Sequence, residues 1–222
     1  SRCGEIMIPN GICNLGTASN CYIHSALGAI AEFPEIVKSI FLTDQNSAGI
    51  YAVRFFIRGK PWIVTVDDDL LYQKQTNLDL ILHSSAPILK LGHNLEKAFA
   101  KVKGTYDHTN GGFTINGLRV LIGSPVFYYA LGTENKTEIW SNLTDADSKN
   151  YIMGLDTDGT SDQVLNACNI PSAHAYSLIS VFNMSNSTSS FKMIMARNPW
   201  GKSKYKGAWS HDDPAWTPEF IA

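Results

Sequence analysis

The sequence predicts an α+β protein with a helical N-terminal half and an antiparallel β C-terminal half. Apolar residues recur at helical spacing in two stretches before residue 104. After residue 112, apolar runs typical of strands are separated by polar turns. The segment from Thr105 to Gly112 contains two adjacent glycines and few apolar residues, and we interpret it as a hinge. The predicted lobes are therefore residues 1–112 and 113–222.

The N-terminal half is expected to contain three helices and one β-hairpin. Residues 1–18 are rich in Gly, Asn and Pro and are predicted to be loop. Ser19 or Asn20 can cap a helix that runs to about Phe33, because Pro34 interrupts the helical pattern. The remaining predicted elements of this half are a helix over Glu35 to Phe41, strands over Ile50 to Arg58 and Trp62 to Val66, a turn at Gly59-Lys60-Pro61, and a helix over Asn94 to Lys103 ended by Gly104.

The C-terminal half is expected to be built mainly from strands. They are predicted over Val126 to Leu131, Ala173 to Phe182 and Phe191 to Arg197. The polar turn Asn183 to Ser190 is expected to join the last two strands as an antiparallel pair. Ser161 to Cys168 is predicted to form one helix.

Charge and hydropathy exclude several classes of partner. The 222 residues include 18 basic and 20 acidic ones, so no electrostatic feature favours nucleic acid or an anionic membrane. No apolar run is long enough to span a bilayer. The chain has neither an initiator Met nor the apolar core of a signal peptide at its start, so we expect it to be part of a larger chain or assembly.

The cysteines are few and unevenly spaced, which favours reduced thiols over a disulfide framework. They are Cys3, Cys13, Cys21 and Cys168. No CxxC pair is present, so a zinc ribbon is not expected. Four Asn-x-Ser/Thr triplets fit the glycosylation pattern, but such triplets also arise by chance in a chain rich in Ser, Thr and Asn.

Three residues have the properties that thiol-protease chemistry needs. Cys21 falls in the first turn of a predicted helix, where the helix dipole favours a thiolate. His174 lies at the start of one predicted strand and Asn198 at the end of the next, so strand pairing would bring them together. Asn198 could then orient the imidazole, and the site would lie in the cleft between the lobes. Individually, each residue could instead be a buried small side chain, a core histidine or a turn residue.

Four blocks in the chain resemble the calpain family of cysteine proteases. In order, they are Asn20-Cys21-Tyr22, Leu95 to Tyr106 (LEKAFAKVKGTY), His174-Ala175-Tyr176-Ser177, and Arg197 to Gly201 (RNPWG) followed by Lys206 to Ser210 (KGAWS). The last block is highly specific, and together the blocks span nearly the whole chain. The resemblance implies a papain-like two-lobed fold, a cytoplasmic setting and cleavage of internal peptide bonds in intracellular proteins. It also implies that Trp200 shields the hydrogen bond between the catalytic His and Asn from water.

The chain departs from the calpain pattern at the oxyanion position. The family has a Gln six residues before the nucleophile, whereas this chain has Leu15, which has no side-chain donor. Asn14 could replace it only if the loop changes its register. Loss of one such donor typically lowers the rate by about 10²–10³-fold, and the backbone N–H of Cys21 would remain. His24 stands where the family has an aliphatic residue, and we expect it to place a polar ring near the core.

The resemblance also implies calcium sites, but their usual ligand positions are altered. Ile12 replaces an Asp of the N-terminal loop. Lys204 and His211 replace acidic residues of the second lobe, and Asp212 and Asp213 are shifted from the family position. Weak or absent calcium sites are therefore expected. The other histidines lack metal-ligand spacing, and the acidic triplet Asp67-Asp68-Asp69 is expected to be a solvated turn that ends a strand.

Two main hypotheses follow. The first is a calpain-like cysteine endopeptidase, a hydrolase of intracellular proteins that uses Cys21, His174 and Asn198. The second is a catalytically impaired calpain-like domain that serves as a structural or interaction module in a larger assembly, as Leu15 and the altered calcium positions suggest. A secreted papain-type protease is a third reading, favoured by the glycosylation triplets alone.

Overall fold

The computed structural model describes residues 20–44, 46–69, 87–200 and 205–221. It has α+β architecture, which confirms the predicted mixture of helices and antiparallel strands. Its helices and strands are α1 (Cys21–Ile30), α2 (Pro34–Ile40), β1 (Ile50–Ile57), β2 (Lys60–Asp67), α3 (Pro87–Lys103), a short 3-10 helix (Asp107–Thr109), α4 (Thr114–Ile122), α5 (Lys136–Ser148), β3 (Met153–Asp156), β4 (Ala175–Ser185), β5 (Ser190–Arg197) and α6 (Pro218–Ile221). None of the helices among these residues is long and apolar enough to cross a membrane.

The helices and strands predicted between residues 20 and 103 are confirmed, but α3 begins at Pro87 and not at Asn94, and the hairpin turn is shifted. The predicted loop over residues 1–18 lies outside the described residues. Ile57 pairs with Lys60, so the turn consists of Arg58 and Gly59 and not of residues 59–61. Both turn residues have positive φ, 51° and 76°, as two-residue hairpins that match the twist of their strands require. Pro61 lies within β2, which is tolerated because the sheet has only two strands and Pro can occupy an edge.

The second half contains more helix than the sequence predicted. α4 and α5 were not anticipated. α5 is mostly polar and buries only Ile139 fully, so its apolar periodicity is weak. Its start is marked instead by Asn135, whose side chain accepts a hydrogen bond from the Thr137 N–H at 3.0 Å.

Two predictions for the second half were wrong. The segment from Val126 to Leu131 is irregular and not a strand, because no segment in the described part of the chain pairs with its backbone, and Phe127 is 81% exposed. Ser161 to Cys168 is not a helix but a series of turns with one isolated bridge, between Leu165 and Pro171. An apolar run alone did not reveal whether a partner strand exists.

The C-terminal strands form an antiparallel sheet of order β3-β4-β5. The predicted pair is confirmed, since β4 pairs with β5 from Ser177–Arg197 to Ser185–Ser190. β3 adds four residues on the other side of β4. The sheet therefore brings the segment before β4 and the segment after β5 to one end, which is where His174 and Asn198 lie.

The main core lies between α1 and the elements around it. α1 packs against α4 and β4, and Gly117 of α4 allows a close approach because an added Cβ would lie 2.8 Å from the Ala26 Cβ. The largest fully buried apolar side chains of this core are Tyr51, Phe55, Ile23, Ile30, Ile40, Leu95, Leu121 and Val53. α4 follows the predicted hinge in sequence, but it packs against α1 and β1, which precede the hinge. The lobe boundary after residue 112 remains a prediction.

Candidate active site

Cys21 is the first residue of α1 and is half-buried. Asn20 precedes it at the N-cap position but makes no side-chain cap, so the prediction was wrong for Asn20, while the alternative cap, Ser19, lies outside the described residues. Its side-chain amide instead donates a hydrogen bond to Glu96 Oε1 at 2.7 Å. Because the first N–H groups of a helix have no partner within the helix, this end of α1 offers uncapped donors and a favourable dipole beside the Cys21 sulfur.

His174 lies directly before β4 and is held there by Thr157. The His174 N–H donates to Thr157 Oγ1 at 3.0 Å, and the Thr157 N–H donates to the His174 carbonyl at 2.8 Å. The imidazole is 2% exposed. The backbone of His174 is therefore fixed from both sides by the residue that follows β3.

His174 and Asn198 are joined by a hydrogen bond of 2.9 Å between Nε2 and Oδ1. Asn198 Oδ1 also accepts from the Trp200 N–H at 3.0 Å, so two donors fix which end of the amide faces the ring. A carbonyl oxygen can only accept, so His174 Nε2 must carry the hydrogen. In the neutral ring, the lone pair is therefore on Nδ1, the atom available to take a proton from a thiol.

Nδ1 of His174 does not form a hydrogen bond with the Cys21 thiol in this structure. Nδ1 is buried and has no hydrogen-bond partner among the described residues. The Ala175 N–H, which is adjacent to His174 in the chain, lies near enough to the Cys21 sulfur to lower the pKa of the thiol. The fold thus brings the tip of α1 to the start of β4, while the thiol and Nδ1 do not form a direct hydrogen bond.

Two aromatic rings enclose the imidazole. The Trp200 ring centroid lies 4.2 Å from that of His174, with the planes tilted by 36°. Tyr176 meets the imidazole edge-on, with centroids 4.9 Å apart. These rings limit the access of water to His174, which strengthens its hydrogen bond to Asn198.

Burial disfavours charge on both candidate reacting groups, the Cys21 thiol and the His174 imidazole. It raises the pKa of the Cys21 thiol, an effect opposed by the Ala175 N–H and reinforced by the carboxylates of Asp162 and Asp156. Burial lowers the pKa of His174, while the Asn198 hydrogen bond and the same two carboxylates oppose that change. In the described conformation the neutral thiol and the neutral imidazole are therefore favoured over the ion pair.

Sequence reasoning missed the contacts that join α1 to the strands. Ser177 Oγ donates to the Ser25 carbonyl at 2.7 Å, and Arg197 Nη1 lies 2.8 Å from Glu32 Oε1. Arg197 also donates to the Gly28 carbonyl at 3.3 Å. The only sequence signal for Arg197 was its position beside Asn198, and its partners in α1 and in the turn after it could not be identified without the fold.

A buried polar cluster lies beneath the start of α1. His24 is 3% exposed, which confirms that it places a polar ring near the core, and its Nε2 lies 4.0 Å from Glu96 Oε2. Burial raises the pKa of Glu96 to about 7 and lowers that of His24 to about 4, with His93 contributing to the latter. Both side chains are therefore uncharged over most of the pH range from about 4 to about 7.

Several positions singled out in the sequence lie outside the described residues. They are Ile12, Asn14, Leu15 and Lys204. At the second calcium position, His211 is exposed and its Nε2 lies 3.9 Å from Asp212 Oδ1. Both oxygens of Asp213 accept from backbone N–H groups, those of Trp209 and Ala215. Each Asp213 oxygen is thus already engaged by a backbone donor, the weakness of the calcium sites stays a prediction, and no step proposed below uses calcium.

Comparison with known proteins places these observations in a family. The profile described as calpain family cysteine protease matches residues 7–219. The calpain-2 catalytic subunit of Mus musculus is 30% identical over 208 residues, which cover 90% of this chain and 29% of that protein. Calpain-8 of Homo sapiens is also 30% identical, with the same coverage of both proteins. The calpain-type cysteine protease DEK1 of Zea mays is 29% identical over 91% of this chain and 9% of its own length. The chain therefore spans less than a third of these relatives.

Proposed function

The chain belongs to the calpain family of cysteine proteases, and on that premise we propose that it is an endopeptidase that cleaves internal peptide bonds of intracellular proteins. The observation that carries this proposal is the hydrogen bond from His174 to Asn198, which leaves Nδ1 of the imidazole free at the tip of α1. The proposal includes a papain-like two-lobed fold, a cytoplasmic setting and catalytic roles for Cys21, His174 and Asn198.

The first step of the proposed reaction is activation of the thiol. Nδ1 of His174 takes the proton of Cys21 to give a thiolate and an imidazolium. The dipole of α1 and the Ala175 N–H stabilise the thiolate, and Asn198 holds the ring so that Nε2–H points away from the sulfur. Because the thiol and Nδ1 share no hydrogen bond in the described conformation, a small closing movement precedes this step.

The second step is acyl transfer. The thiolate attacks the carbonyl carbon of the peptide, a C–S bond forms, and the electron pair of the C=O bond moves to the oxygen. The uncapped N–H of Cys21 supplies one donor to that oxygen. The imidazolium then gives its Nδ1 proton to the leaving amine as the C–N bond breaks. Water hydrolyses the resulting thioester, with Nδ1 taking one proton from it and the thiol being regenerated.

A thiol-directed epoxide tests the proposal directly. We expect it to alkylate Cys21 in the folded protein, and His174→Ala to slow that labelling by about 10²-fold or more. Cys168 provides the internal control, because it is also a free, half-buried cysteine but has no proposed base. Labelling of Cys21 at the same rate as Cys168, both with and without added calcium, would contradict the endopeptidase proposal.

A catalytically impaired module remains the second candidate. It is favoured by the raised pKa of Cys21 and by the missing hydrogen bond between its sulfur and His174 Nδ1. In that case the domain would serve a structural or interaction role in a larger chain or assembly. Casein digestion distinguishes the two candidates. Cleavage by the wild type that is abolished in Cys21→Ala supports the endopeptidase. Equal cleavage products from the wild type and Cys21→Ala would refute the endopeptidase proposal.

A further inference from the structure

A chain of three buried or half-buried polar residues crosses the molecule behind the candidate site. Ser25 Oγ lies 2.9 Å from Thr114 Oγ1, and Thr114 Oγ1 lies 2.8 Å from Asp156 Oδ1. The Thr114 N–H also contacts both carboxylate oxygens, at 3.0 and 3.2 Å. Asp156 thereby satisfies the first N–H of α4, a donor that has no partner within the helix.

The ionised carboxylate sets the direction of this chain. A carboxylate can only accept, so the Thr114 hydroxyl must donate to Asp156. That hydroxyl then has only lone pairs to offer, so Ser25 is the donor between the two, and its one hydrogen is shared between Thr114 Oγ1 and the Tyr22 carbonyl, 3.2 Å away. Ser25 and Thr114 are 0% and 2% exposed, so water does not compete for these bonds. The direction of the bond from Thr114 to Asp156 is therefore fixed, and Ser25 holds the other side of the Thr114 hydroxyl.

The network connects the two elements that carry the reacting groups. Ser25 lies one helical turn after Cys21 on α1. Asp156 is the last residue of β3 and pairs with Ala175, the residue after His174. The next residue, Thr157, holds the His174 backbone through both of its polar groups. A displacement of Asp156 or Thr114 would therefore change the position of α1 relative to His174.

The fold makes room for this network. A Cβ added to Gly154 would lie 2.3 Å from Thr114 Cγ2, so the threonine occupies space that only glycine leaves. Burial raises the pKa of Asp156, while Thr114 and the imidazole of His174 oppose that change. Among the described residues, Asp156 takes part in no ion pair, so its charge is not neutralised by a nearby Lys or Arg.

We propose that Asp156 is a positioning residue of this site: its carboxylate ties the helix of Cys21 to the strand of His174 through Thr114 and Ser25, and its negative charge stabilises the protonated imidazole. The inference rests on the proposed function, since it requires that Cys21 and His174 form an ion pair. It adds a residue that the resemblance to calpains did not indicate.

Alkylation of Cys21 by iodoacetamide tests both the tether and the effect of the Asp156 charge. Its rate is measured over a range of pH, with the modified peptides identified individually. Wild type is expected to show two inflections, one for formation of the ion pair and one for loss of the imidazolium proton. The charged and titratable groups that face this pair are Asp156, Asp162, Tyr22 and Tyr176. Each variant below changes at most one of these four groups and leaves the others in place.

Asp156→Asn isolates the charge. The negative carboxylate raises the pKa of both the thiol and the imidazole, so its removal should move both inflections to lower pH, by about 0.5 unit or more. The amide oxygen can still accept from Thr114, so the fold should be retained. Asp158→Asn is the matched control, because this exposed carboxylate lies two residues away and should shift neither inflection.

Thr114→Val isolates the tether, because it keeps the shape and the backbone N–H but removes the hydroxyl. We expect the low-pH inflection to lose at least half of its amplitude, since fewer molecules hold Nδ1 near the sulfur. Ser25→Ala cuts the same link and replaces Thr114→Val if that variant does not fold. A purely structural role would lower the melting temperature without changing either inflection.

The outcomes are separable. Two wild-type inflections that remain unchanged in Asp156→Asn and in the folded tether variant would overturn this inference and leave the proposed function intact. A single wild-type inflection at the pH of an ordinary thiol would contradict the ion pair itself, and both the proposed function and this inference would then be rejected.

Discussion

His174 Nε2 donates a hydrogen bond of 2.9 Å to Asn198 Oδ1 across the paired ends of β4 and β5. The bond determines the tautomer of the imidazole and leaves Nδ1 as the available base. It also joins residues 24 positions apart in sequence that only the hairpin brings together.

The first prediction concerns the pH dependence that this bond imposes. The Asn198 hydrogen bond raises the pKa of His174, so Asn198→Ala should lower that pKa and move the alkaline limb of activity to lower pH. Without an oriented ring, kcat/KM should also fall by about 10²-fold. The check is a pH profile of peptide hydrolysis.

Asn198→Asp provides the opposite case. A carboxylate accepts the same hydrogen bond and adds a negative charge, so the alkaline limb should move to higher pH. Shifts of the same sign in Asn198→Ala and Asn198→Asp would mean that the hydrogen bond does not control the imidazole.

The second prediction concerns the Trp200 ring, which stacks 4.2 Å from the His174 ring. Trp200→Ala should admit water to the His174–Asn198 hydrogen bond and lower kcat by about tenfold. Trp200→Phe keeps an aromatic cover and should retain most of the activity. Exchange of the His174 Nε2 proton with solvent, measured by NMR, should be faster in the Ala variant, and equal exchange in all three proteins would refute the shielding role.

The third prediction uses the opposite pKa shifts of His24 and Glu96. The pKa of Glu96 is raised to about 7, so its contribution to the free energy of unfolding is present at low pH and is lost as pH rises from about 4.5 to 7. The pKa of His24 is lowered to about 4, so its contribution is absent at low pH and is gained as pH rises from about 4 to 6.5. In the wild type the two slopes largely cancel between about pH 4.5 and 6.5.

Single substitutions should reveal each slope. In Glu96→Gln, where His24 remains, the free energy of unfolding should rise with pH over that interval. In His24→Leu, where Glu96 remains, it should fall. Each slope is bounded by about 1.4 kcal/mol per pH unit for one proton. Urea unfolding at several pH values measures them, with Lys38→Gln as an exposed control, and slopes of equal sign would contradict the assignment.

The fourth prediction concerns the contact between Gly28 and Ser177. A Cβ at position 28 would lie 2.5 Å from Ser177 Oγ, which already donates to the Ser25 carbonyl. Gly28→Ala should therefore lower the free energy of unfolding by about 1–3 kcal/mol, although Ala is the better helix former. In a Ser177→Ala background the clash is absent, and the same change should stabilise by up to about 1 kcal/mol. A double-mutant cycle measures the difference, and additive effects would show that the two positions do not interact.

The predictable part of the fold was the part with strong local signals. α1, α2, α3 and the β4–β5 hairpin have clear periodicity, breakers or turn residues in the sequence. The errors fell where local signals are weak or misleading. α5 is too polar to show a helical stripe, and the apolar run that begins at Val126 has no partner strand among the residues that the structure describes.

The sequence by itself identified the candidate reacting residues, because the order Cys21, His174 and Asn198 within the RNPWG and neighbouring blocks is specific. It also determined that a polar His24 would enter the core. Only the tertiary structure decided which nitrogen of His174 is the free base, that Asn20 binds Glu96 and does not cap α1, and that Asp156 reaches α1 through Thr114. The physical reason is that motifs record residue types along the chain, whereas tautomers, pKa shifts and tethers depend on atoms that meet only when distant segments pack together.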